Sequence, residues 1–150
     1  MPRQEQLEPI SFDRTKTLNE LENDVWEPPE EDDYVSHLVG RCHALRTVPV
    51  GEMTPADLRI LLGQNIGTEF LIPLALEVLE RQPLINAELY PGDLLEYVLH
   101  REDSFWIEHP EWKERTQRIF ARAEQLSRPN SIELNVEVLL QSNQARWRTP

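Results

Sequence analysis

The chain has 150 residues, 39% of them apolar and 28% charged, which is enough to bury one core of ordinary domain size without help from metal or disulfides. Its 27 acids against 15 bases give a net charge of -12, which disfavours nucleic acid or an anionic membrane as a partner, because both repel it at long range, and favours a basic one. A single cysteine, Cys42, excludes an internal disulfide framework and a cysteine-based zinc site, and fits a reducing compartment.

Residues 1–16 show no steady period and read as an N-terminal arm to one domain over 17–150. "MPRQEQLEPISF" has no apolar signal core, and the longest apolar run, "FLIPLAL", is too short to span a bilayer, so a cytoplasmic location is expected. "TLNELENDVW" offers Thr17 and Glu20 as a capping box for a short helix carrying Leu18, Leu21 and Val25, and Pro28-Pro29 stops it. "DDYVSHLVGRCHAL" then spaces Tyr34, Val35, Leu38, Val39, Cys42 and Leu45 as an apolar helical stripe, with Asp32 or Asp33 as its cap. In "TPADLRILLG", Thr54 takes the N-cap, Pro55 the first helical position and Gly63 the stop.

"FLIPLALEVLERQP" is apolar on most sides and is expected to be the central helix, with Pro73 in its first turn or at a kink. "YPGDLLEYVLHR" is the next helix, and "HPEWKERTQRIFARAEQL" a longer amphipathic one on Trp112, Ile119, Ala123 and Leu126. Between them, "HREDSFWIEHPEW" reads as a polar loop pinned by Phe105 and Trp106. In "NSIELNVEVLLQSNQARW" the alternation of Ile132, Leu134, Val136 and Val138 suits a strand, whereas Ile132, Val136, Leu139 and Leu140 suit a helix capped by Asn130 and Glu133; helix is favoured. The expected fold is all-α: a single-domain irregular bundle of six or seven helices, with the C-terminal segment helix or strand.

Catalytic signals are sparse. Cys42 and His43 are consecutive on a helix, about 100° apart, and so do not form a thiol-imidazole pair. His37, His43, His100 and His109 are scattered, no metal-binding spacing occurs, and the five glycines form no phosphate loop, so neither a catalytic residue nor a cofactor is assigned. A small metal-dependent hydrolase built on His100, Asp103 and His109 is the alternative from another class, and a general acidic adaptor is a third reading.

Charge, by contrast, is concentrated. Thr17 to Gly40 holds eight acids and no Lys or Arg, a net of -8, while the other 126 residues hold -4. At its centre, "WEPPEEDDY" sets Glu27, Glu30, Glu31, Asp32 and Asp33 between Trp26 and Tyr34, the anchor-plus-charge composition of a surface that meets a basic protein. Two other readings stand beside it: a solvated loop with the rings turned inward, or pairing with Lys113, Arg115, Arg118 and Arg122 in the mildly basic stretch from Glu111 to Arg128.

The order and spacing of "ADLRILLGQNIG", "FLIPLALEVLE" and "YPGDLLEYVL" resemble the immunity proteins of bacterial contact-dependent growth inhibition (CDI) systems, over residues 17 to 100. The resemblance implies a non-enzymatic cytoplasmic protein that binds and neutralises the C-terminal toxin domain delivered by a neighbouring cell, often by covering its active site. Such toxins are in many cases nucleases, which must present a basic surface to phosphates and so suit an acidic inhibitor; an RNA-cleaving one is the first choice. A monomer or a 1:1 complex with the toxin is expected. The matching residues Gly63, Gly67, Pro73 and Asp93 are read as structural, and the toxin-facing residues are placed, on charge, at Trp26, Glu27, Glu30, Glu31, Asp32, Asp33 and Tyr34.

Overall fold

The structure, a computed structural model, describes residues 12–27, 36–127 and 134–149. These form eight α-helices with no named strand: α1 (Leu18–Leu21), α2 (His37–Leu45), α3 (Pro55–Gly63), α4 (Thr68–Arg81), α5 (Asp93–Leu99), α6 (Asp103–Glu108), α7 (Pro110–Ser127) and α8 (Leu134–Trp147), with a 3-10 turn at Val50–Glu52. The all-α reading holds, and so does the helical choice for the last segment. Val136, Leu139 and Leu140 are buried on one face of α8 while Val138 is 54% exposed, which a strand with Val136 and Val138 on the same side would not give.

α4 is the hub. It packs against α3, α5 and α7, and Leu71, Ile72, Leu74, Ala75, Leu76 and Leu79 are all buried. Pro73 is its sixth residue, past the first turn, where a proline deprives the Glu69 carbonyl of its usual helical donor. Gly67 precedes α4 with φ +66, and a Cβ there would stand 2.8 Å from Leu18 Cδ2, so the turn needs glycine both for its left-handed backbone and for the close seat of α1.

Local signals explain the helix starts. Thr17 with Glu20 and Thr54 with Asp57 both form complete capping boxes, and Pro55 opens α3. α2 differs from expectation: Ser36, whose hydroxyl accepts the Val39 N–H, is its cap. Asp32, Asp33, Tyr34 and Val35 lie outside the described residues, as do Asn130, Ile132 and Glu133. Of the described residues of the expected α2 stripe, Cys42 and Leu45 are buried, while Leu38 and Val39 are 39% and 44% exposed, so this edge helix meets the bundle through its second half. Burial pushes the Cys42 thiol up, against the thiolate form.

The segment expected as a polar loop is instead helix α6. Trp106 is buried there with its indole N–H donated to the Arg101 carbonyl and its ring edge-on to Trp147 at 5.1 Å. α7 follows almost at once and buries Trp112, Thr116, Ile119, Phe120 and Ala123; Leu126, expected on that face, is 52% exposed. At the other end, Phe12 meets Phe70 edge-on at 5.3 Å and Arg14 donates to Glu77 at 2.9 Å, so residues 12–16 of the expected arm lie on α4.

The turn before α5 is organised by a buried charge. Asp93 is 0% exposed, and its carboxylate accepts the backbone N–H groups of Ala87, Glu88 and Leu89 at 2.8, 3.0 and 2.9 Å. Arg59 Nε lies 3.3 Å from the same carboxylate, close enough for charge attraction but without hydrogen-bond geometry. Gly92, at φ +87, gives the chain the reversal that turns Asp93 back over the loop. Beside it the Tyr90 hydroxyl donates to Glu96, which with burial pushes its pKa up to about 12.

Candidate functional site

The acidic stretch enters the described structure at residues 17–27, and a single cation organises it. A four-residue helix cannot hold itself together in water. α1 is instead tied to Arg46, the residue capping the end of α2, whose side chain is 1% exposed. Its Nε donates to Asn19 Oδ1 at 2.9 Å, one terminal nitrogen donates to Glu22 Oε1 at 2.6 Å, and the other donates to the Asp24 carbonyl at 2.9 Å. The Asn19 N–H donates back to the Arg46 carbonyl at 3.3 Å.

Trp26 closes this arrangement. The Arg46 guanidinium stands over its ring 4.3 Å from the centroid, His43 meets it edge-on at 5.3 Å, and the Trp26 N–H donates to Asn19 Oδ1 at 3.4 Å. Trp26 is thus half-buried, with its ring engaged by the protein itself, and Glu27 next to it is exposed. Of the residues singled out for toxin contact, these two are brought onto the fold. Glu30, Glu31, Asp32, Asp33 and Tyr34 lie outside the described residues. Arg46 escaped sequence reasoning because its partners are 22 to 27 positions away and nothing around it is acidic.

Two of the basic residues suggested as internal partners have other work. Arg115 forks onto the Glu80 carboxylate at 2.9 and 2.7 Å, and Arg122 donates to the Glu80 carbonyl, so both fasten α7 to the end of α4.

A second feature was not foreseen. The α3–α4 turn, the end of α5 and α6 enclose an open hollow of about 570 Å³. Arg101 belongs to its lining and is 9% exposed, with Nε donating to the Tyr97 carbonyl and the terminal nitrogens to Asn65 Oδ1 and the Leu62 carbonyl at 3.2, 2.6 and 2.9 Å. All three acceptors are neutral, and burial pulls its pKa down. Tyr97 and Phe105 supply apolar wall, and the exposed Glu69, Glu102 and Glu108 supply carboxylates. A neighbouring hollow of about 470 Å³ shares Asn65, Thr68 and Glu69 with it and reaches Leu21 and Glu22. The two hollows lie side by side on these shared residues.

His100, Asp103 and His109, the trio of the hydrolase reading, do not come together as one ligand set, although His100 and His109 both line the larger hollow. Asp103 pairs with Arg146 at 2.9 Å, and His109 lies flat on Trp112, 4.0 Å between ring centres. Among the described residues no three His, Cys, Asp or Glu side chains stand where a metal ion could be held.

The molecule is therefore an acidic all-α protein whose buried ionic groups serve the scaffold. A family model described as CDI immunity proteins matches residues 20–116, well over half of the chain. The chain belongs to that family, which assigns it an immunity function against CDI toxins and a cognate toxin as its partner. No curated protein and no solved structure matches it. No helix among the described residues is long and apolar enough to cross a membrane.

Proposed function

We propose that the chain is a stoichiometric, non-enzymatic inhibitor of a basic CDI toxin, a nuclease and by preference an RNase, acting in the cytoplasm by laying acidic surface over the toxin's active site. The observation that carries this reading is the -8 held between Thr17 and Gly40 in a family whose members confer immunity. A nuclease active site must attract phosphates, so an acidic inhibitor is drawn to the same ground. Trp26, Glu27, Glu30, Glu31, Asp32, Asp33 and Tyr34 form the proposed contact segment. Its first residues are fixed through Arg46, and the engagement of Arg115 and Arg122 by Glu80 weakens the case for pairing within the chain.

Reversing Glu30, Glu31 and Asp32 to Lys is expected to slow association with the toxin by about 10-fold to 100-fold at low salt, since steering of this kind contributes roughly 10-fold to 1,000-fold to on-rates. Far-UV circular dichroism should be unchanged, and protection of cells should fall. Protection equal to the parent's at equal protein abundance would remove the segment from the contact.

A further inference from the structure

We propose that the outer side of the first half of α2, built on Val39 and Gly40 and leading to Trp26, is the apolar part of the toxin contact, where a segment of the toxin packs closely over a bare glycine. This rests on the reading above and adds an uncharged surface to its charged segment.

Gly40 is the observation that points there. The other four glycines are explained by the chain itself: Gly67 and Gly92 have positive φ, and a Cβ on Gly51 or Gly63 would stand 3.0 Å from the Arg14 carbonyl oxygen or 3.2 Å from the Tyr97 ring. Gly40 has neither reason. It is the fourth residue of α2, its N–H donates to the Ser36 carbonyl at 3.0 Å as in any helix, and among the described residues no atom lies within 4 Å of where a Cβ would stand. Glycine at such a position loosens a nine-residue edge helix, and alanine would serve the fold better. What the missing side chain provides is room for another backbone to come close.

The surroundings fit a protein partner. Positions 36, 39, 40 and 43 share one side of the helix, and Val39 is 44% exposed there. His43 meets the Trp26 ring edge-on at 5.3 Å, so the same side leads to Trp26 and the exposed Glu27, the described start of the proposed contact segment. The occupant is basic. Residues 17–40 carry -8 without one Lys or Arg, and the first two arginines after them, Arg41 and Arg46, are held by Glu88 at 3.0 Å and Glu22 at 2.6 Å. A second copy of the chain, itself at -12, is repelled from this ground, whereas a basic toxin is drawn to it. Val39 and the half-buried Trp26 then supply the apolar centre that a ring of carboxylates lacks.

The test uses the full chain and, as probe, the purified toxin domain encoded with it. G40A should raise the melting temperature by about 1–4 °C, because only helix propensity changes. G40W should melt no lower than the parent yet bind the toxin domain at least about 10-fold more weakly, and V39Q should weaken binding about 3-fold to 10-fold at an unchanged melting temperature. Binding of G40W as tight as the parent's would remove this side of α2 from the contact and leave the inhibitor reading standing. A melting temperature of G40W well below the parent's would assign the surface to the chain's own segments, and a parent dimer that G40W splits would assign it to a second copy; either result overturns the proposal. If the parent itself does not bind, the inhibitor reading fails and the proposal with it.

Discussion

Replacing Asp93 with Ala should cost about 3–5 kcal/mol of folding stability, the largest effect expected from removing any single polar or charged side chain in this protein. The carboxylate is fully buried and accepts three consecutive loop amides, all of which lose that acceptor together. Arg59, 12% exposed and 3.3 Å away, would lose its nearest carboxylate and keep only Glu88 at 3.8 Å. D93N, nearly identical in shape, should recover only part of the loss, because its NH2 group would face an amide donor wherever it is placed. Urea denaturation measures both. A loss below about 1 kcal/mol for D93A would show that the turn from Ala87 to Gly92 is held by something else.

The second large effect is expected at Arg46. R46M keeps the length of the side chain and removes its charge and donors, leaving Glu22 and the Asp24 carbonyl without their partner, Asn19 Oδ1 with only the long bond from the Trp26 backbone N–H, and Trp26 without its stacked cation. Glu22 is 31% exposed and can be rehydrated, so the expected loss is about 2–4 kcal/mol rather than the upper end for a fully buried pair. R46K should fall between parent and R46M, since a point charge cannot reproduce the planar fork. Because Arg46 holds the entry to the acidic stretch, R46K should also weaken toxin binding at temperatures where the variant is still folded. Unaltered stability of R46M in urea would show that α1 is seated by Leu18 alone.

These two positions also show where sequence reasoning stops. Helix starts were legible because a capping box is written within four residues, as at Thr17 with Glu20 and Thr54 with Asp57. The central place of α4 was legible because an all-round apolar helix has nowhere else to go. α6 was not, since six residues are too few to show a period and its neighbours are charged. Asp93 could be placed near a helix start but not as the acceptor for the preceding loop, and nothing along the chain marks Arg46 or Arg101, because their partners arrive from distant segments. The candidate surface divides in the same way. Its charge can be counted along the chain, while the two hollows beside the α3–α4 turn exist only once folding sets Glu69 next to Glu22 on one side and to Glu102 and Glu108 on the other.

The central claim is that this chain silences a toxin by binding it. The direct measurement is the activity of the toxin domain encoded with it, RNA cleavage on the proposed reading, followed as the purified chain is added at a toxin concentration well above the dissociation constant. Cleavage should fall in proportion to added protein and stop at one equivalent, as for a tight one-to-one inhibitor. Cleavage that continued undiminished in the presence of several equivalents would contradict it.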